Sequence, residues 1–144
     1  MALSAVLAEH DVVTPPWPEP PTPNLPLLRK SLVQIKIRGA WDQSSWMHTS
    51  MKSECGTAGC VAGWALELSG RYDLLFNSVE HSGEVYAEMC RDRTTGEEEF
   101  IETAAARELG LTDAEADMLF DGGNGTYALR WVAEQIAERA GEVL

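Results

Sequence analysis

Along most of the chain apolar residues recur at helical spacing, and over one stretch they alternate. Leu129, Val132, Ala133, Ile136 and Ala140 form a single stripe, which predicts a helix opening at Thr126. Ahead of it, Thr112-Asp-Ala-Glu115 has the form of a capping box, with Ala116, Leu119 and Phe120 on the apolar side of a short helix. Thr103 is expected to open another helix, AAARELG, closed by Gly110. In SECGTAGCVAGWALELSG, residues 53–70, Thr57 can cap a helix running to about Ser69, with Gly70 at its end. LLRKSLVQIKIRG, residues 27–39, reads both ways. Leu28, Leu32 and Ile35 have helical spacing, whereas Val33, Ile35 and Ile37 alternate. Pro26 suits a helix start and Gly39 a stop, so the expectation is a helix. VYAEMC and EEEFIE, separated by RDRTTG, predict a β-hairpin over about 84–102. Val85, Ala87 and Met89 would share one face there, with Phe100 across from them. The fold class expected is mainly α (α+β): one compact helical domain over 27–144 with one small hairpin.

Residues 1–26 read differently. All seven prolines lie between Pro15 and Pro26, in TPPWPEPPTPNLP, so this part is extended and largely polyproline II. It reads as a stiff spacer or a strap on the domain surface, the alternative being a docking peptide anchored by Trp17. The start, MALSAVLAEHDVV, lacks a basic n-region and its apolar run is short for a signal peptide. With no run of about 18 apolar residues, the expectation is a cytoplasmic protein with no membrane partner.

Charge changes the picture more than composition does. Residues 1–40 hold four basic and three acidic residues, a balance of +1; against a total of −12, residues 41–144 therefore carry −13. Such a field repels phosphate backbones and disfavours direct nucleic-acid binding, while it suits a protein partner with a basic surface. A well-solvated acidic surface is the plainer reading of the same numbers.

Candidate chemistry centres on the cysteines. Cys55 and Cys60, with His48, His81 or Cys90, are the plausible ligands of a zinc site, His10 being remote, but no second ligand pair completes a four-ligand pattern. Alternatively, Cys55 or Cys60 at a helix start is a nucleophile whose thiolate the helix amides stabilise, with His81 as its base. No oxyanion donors or orienting group can be identified. The reading that accounts for most residues is a close-packed core helix. Gly56, Ala58, Gly59, Ala62, Gly63 and Ala65 let a neighbour approach, Cys60 acts as a small hydrophobe, and Trp64 fills a larger gap. Nothing calls for a cofactor. TAAARELGLTDAEADMLF has the length of a helix-turn-helix reader. Its second helix, however, carries Asp113, Glu115 and Asp117 and no cation, which fits an αα packing unit, a contact for a basic protein, or a mimic of DNA. DGGNG, residues 121–125, reads as a helix stop and a turn, and Glu97-Glu98-Glu99 as solvated hairpin surface.

The order AWDQSSWM, CGTAGCVAGWALELSG and AAARELGLTDAEADMLFDGGN resembles a family of small uncharacterised proteins of actinobacteria and their phages. The resemblance is carried by Trp41, Asp42, Gln43, Trp46, Cys55, Gly56, Thr57, Cys60, Ala62, Gly63, Trp64, Leu109, Gly110, Leu111, Thr112, Leu119 and Phe120, and covers residues 27–140. It implies such an origin but transfers no catalytic residue. The expectation is an acidic, phage-encoded accessory protein that binds and modulates a host protein, through Trp17, Trp41, Trp46, Asp113, Glu115 and Asp117. A cysteine-dependent hydrolase using Cys55 or Cys60 with His81, and a self-assembling virion component, are the alternatives.

Overall fold

The computed structural model describes residues 19–36, 41–43, 47–50, 57–58, 60–78 and 84–144. Among these, five helices and five strands form an α+β domain: α1 (Leu25–Gln34), β1 (Met47–Ser50), β2 (Thr57–Ala58), α2 (Val61–Ser69), β3 (Tyr72–Ser78), β4 (Glu84–Asp92), β5 (Glu98–Phe100), α3 (Ile101–Leu109), α4 (Asp113–Leu119) and α5 (Thr126–Arg139).

The sheet is larger than a hairpin. β4 is its centre, paired antiparallel with β3 along one edge. On the other edge β1 pairs with Glu84–Ala87 and β5 with Met89–Arg91, so two short strands share it end to end, and β2 adds to β1. The β3–β4 register slips between Leu75 and Phe76, which face Met89 and Ala87, leaving Glu88 as the extra residue of a bulge. The bulge sits where β4 changes partner from β1 to β5. It also reverses which side chains point inward. Ala87 and Cys90 are buried, whereas Met89, expected on the face of Ala87, is only half-buried. The expected pairing of Phe100 with that segment is present, as Met89↔Phe100.

Helix limits follow local chemistry. Asn24 caps α1, its Oδ1 accepting from the Leu27 amide, with Pro26 in the first turn. α1 ends at Gln34, short of the expected Gly39, with Ile35 as its cap. Thr57 does not cap α2, because Thr57 and Ala58 pair as a strand with β1; the cap is Cys60. Gly70, at φ +71°, ends α2 as expected. Phe100 rather than Thr103 precedes α3, so β5 passes into helix without a loop. Gly110 closes α3 at φ +66°, with the Leu111 amide donating to the Ala106 carbonyl and the Gly110 amide to Arg107. The capping box of Thr112 and Glu115 is formed in both directions, at 3.2 and 2.9 Å. On α5 Leu129, Val132, Ala133 and Ile136 are buried as the stripe predicts, but Ala137 completes it and Ala140 is exposed.

α2 sits at the middle of the domain, against α1 and α3. Val61 to Leu66 are all buried, which fits the close-packed reading of its small residues. Trp41 packs on this core, and its Nε1 donates to Gln43 Oε1 at 3.1 Å. Gln43, itself buried, donates to the carbonyls of Leu119 and Asp121 at 3.0 and 3.2 Å, which seals the end of α4. Asn124 assists by donating to Met118 and Leu119, and Asp121 Oδ1 accepts from the Gly123 amide. DGGNG is thus a helix stop and a turn.

Candidate functional site: an acidic cleft between two helices

Gly110 folds α3 and α4 against each other, and a cleft of about 550 Å³ opens between them. α3 lines it with Glu102, Thr103, Ala106 and Arg107, positions i, i+1, i+4 and i+5. α4 and the residues beyond it contribute Asp113, Ala116, Asp117, Phe120 and Asp121. Ala106, Ala116, Leu111 and Phe120 provide apolar surface; Leu111 and Phe120 belong to the core. Four carboxylates and one guanidinium line the cleft.

That guanidinium is already engaged. Arg107 holds both carboxylate oxygens of Glu99, with Nη1 donating to Oε2 at 3.1 Å and Nη2 to Oε1. Nη2 also donates to the Tyr72 hydroxyl at 2.9 Å, and that hydroxyl donates to Glu108 Oε1 at 3.0 Å. The Glu99 pair, and then Tyr72, raise the Arg107 pKa. Burial is the main cause that pushes the Tyr72 phenol upward. Glu108 also meets Arg71 at 3.2 Å. Glu99 is therefore part of an ordered network behind the cleft rather than plain solvated hairpin surface.

The expected site residues divide sharply. Asp113 and Asp117 are exposed and line the cleft. Glu115 points elsewhere: it closes the capping box and takes a two-pronged ion pair from Arg139, at 2.8 Å on each oxygen. Burial pushes the Glu115 carboxyl upward, but the hydrogen bonds from Arg139 and Thr112 outweigh it and hold its pKa below the usual value. Its role is structural. Trp41 is half-buried and packs against the core. Trp17, Trp46, Cys55, His10 and His81 lie outside the described residues, and His48 falls in β1 opposite Tyr86 and Ala58.

Cys60 does not have the character of an activated thiol. It sits at the start of α2, where the amides of Ala62 and Gly63 do favour the thiolate, yet it is 1% exposed. Desolvation wins and raises its pKa to about 11. Cys90 is likewise buried in β4, and burial raises its pKa to about 11. Among the described residues, no group of three His, Cys, Asp or Glu side chains is placed to hold a metal ion.

Sequence reasoning missed Glu102, Arg107 and Asp121 as cleft residues. The signal was available: the positions of Glu102 and Ala106 repeat the i, i+4 spacing of Asp113 and Asp117 on either side of Gly110.

The extended segment before α1 closes the other side of this unit. The Asn24 amide donates to the Leu109 carbonyl at 2.8 Å, and Arg139 Nη1 to the Pro21 carbonyl at 2.7 Å. Residues 19–24 lie along the α3–α4 turn as a strap. No helix among the described residues is long and apolar enough to cross a membrane. Compared with protein-family models, with characterised proteins and with solved structures, the chain has no match.

Proposed function

We propose that this is a non-catalytic binding protein whose α3–α4 cleft receives a basic segment of a protein partner. One observation carries the reading: Glu102, Asp113, Asp117 and Asp121 surround apolar surface, while the cleft's one guanidinium is committed to Glu99. Carboxylates at the rim attract and orient a lysine- or arginine-bearing segment, and the apolar floor gives its aliphatic stems something to cover. The rigid helix-turn-helix frame makes the site pre-organised. The −13 balance of residues 41–144 supports a basic partner and argues against nucleic acid. The resemblance to actinobacterial and actinophage proteins extends the proposal to a cytoplasmic accessory role, modulating a host protein.

Amide-shift mapping with a lysine-rich amphipathic peptide tests the site. Shifts concentrated at residues 102–121 support it. Shifts spread over all acidic surface, including the Glu97–Glu98 edge, reject it.

A further inference from the structure

The opposite kind of surface lies between α1 and α5. Leu32, Val33, Ile35, Tyr127, Leu129 and Leu144 line a groove of about 550 Å³, within the size range of ligand-binding clefts. Two of these side chains are largely unburied, Val33 at 62% and Tyr127 at 84% exposure. Single exposed apolar residues are ordinary, but here they border a continuous apolar trough.

The charge at its edge runs against the rest of the molecule. Arg29, Lys36 and Arg130 line the groove, and no Asp or Glu side chain does, in a chain of 11 basic and 23 acidic residues. The other described arginines, Arg71, Arg91, Arg93, Arg107 and Arg139, all form ion pairs away from the groove. Lys36 forms no ion pair among the described residues. Arg130 meets Glu134, one turn along an exposed helix face, whereas Arg29 reaches Glu142 at 3.8 Å and donates to the Val143 carbonyl at 3.0 Å, which leaves Lys36 and Arg130 as the more available cations. Exposed pairs of this kind are weak and exchange readily for a better-placed partner. On α1, Arg29, Leu32 and Val33 fall at i, i+3 and i+4, and Lys36 follows in the turn just past the helix end, so cations bracket the apolar pair.

We propose that the α1–α5 groove is a second docking site, for an acidic amphipathic helix of a partner protein. The apolar stripe of that helix lies against Leu32, Val33 and Leu129, and its flanking carboxylates meet Lys36 and Arg130. Net charge alone would repel such a ligand from this chain, so binding has to come from the groove. The site is independent of the acidic cleft and takes the opposite ligand.

The test uses the full chain and a synthetic helical peptide with leucines at i, i+3, i+4 and i+7 and glutamates on both flanks. Binding is followed by amide shifts and by calorimetry. The expected result is saturable binding with shifts at Leu32, Val33, Tyr127 and Leu129. Lys36→Gln with Arg130→Gln should weaken it at least tenfold, as should Val33→Asp, all with unchanged circular dichroism. A shuffled peptide of the same composition should not bind. Equal binding by the shuffled peptide, tighter binding by a lysine-flanked version, or shifts that avoid the groove would overturn the proposal. So would a groove filled instead by phosphatidylglycerol vesicles, by a second copy of the chain in light scattering, or by residues 1–18 in cross-peaks to Tyr127.

Discussion

Arg139 grips Glu115 with two charge-assisted hydrogen bonds, Nε to Oε2 and Nη2 to Oε1, both 2.8 Å. The same guanidinium donates to the carbonyls of Pro21 and Gly110. The last turn of α5, the cap of α4, the α3–α4 turn and the strap thus meet at one side chain. Arg139→Lys keeps the charge but cannot supply the planar fork. We expect it to cost about 2 kcal/mol, a fall in Tm of roughly 4–8 °C, measured by thermal and urea denaturation.

Gly110 matters for two separate reasons. Its φ of +66° is costly for any residue with a side chain, and a Cβ there would lie 1.9 Å from the Thr22 carbonyl oxygen. Gly70 and Gly96 share the positive φ but face open space. Gly70→Ala and Gly96→Ala should therefore cost about 1–2 kcal/mol each, the backbone term alone. Gly110→Ala should cost more and displace the strap, seen as faster hydrogen exchange at the Asn24 amide.

Acid should weaken the Glu115 clamp. Its carboxyl has a lower pKa folded than the usual 4.5, so its contribution is complete above that value and is lost as pH falls through the folded one. The stability difference between the wild type and Glu115→Gln should accordingly shrink as pH is lowered from about 6 to about 3. Urea titrations across that window measure it.

Cys60 should be inert in the folded protein. With its pKa at about 11, roughly one molecule in ten thousand carries the thiolate at pH 7, and burial blocks access to that one. Peptide mapping after iodoacetamide treatment should find Cys60 unmodified natively and modified in urea. Rapid native labelling would return it to the list of nucleophiles.

How much of this was legible in the sequence depended on whether a feature was local. The Thr112–Glu115 box, the glycine stops at 70 and 110 and the α5 stripe from Leu129 to Ile136 are set by neighbouring residues and match the structure, whereas Ala140 is exposed and Ala137 is buried in its place. β3 was not anticipated: Tyr72, Leu74 and Leu75 lose strict alternation where β4 bulges at Glu88, and the bulge is a property of the pair. Thr57 looked like a helix cap because its pairing with Thr49 lies eight residues back, in a strand with no apolar alternation. Cys60 was placed at the right end of the right helix. Only its burial, which depends on the surrounding core, decides its chemistry. The same holds for the acidic cleft. Asp113 and Asp117 were singled out from their charge, but Glu115 beside them belongs to Arg139, 24 residues further on.

The central claim, that the α3–α4 cleft rather than overall acidity recognises a basic partner, is tested most directly by a matched pair of charge removals. Calorimetry with the lysine-rich amphipathic peptide at about 0.15 M salt, where long-range attraction is screened, gives the comparison. Asp113→Asn with Asp117→Asn should weaken binding about tenfold or more, equivalent to about 1.4 kcal/mol, while Glu97→Gln with Glu98→Gln should change it less than about twofold. Equal losses from the two pairs would mean that the peptide reads only net charge, and the cleft would not be the binding site.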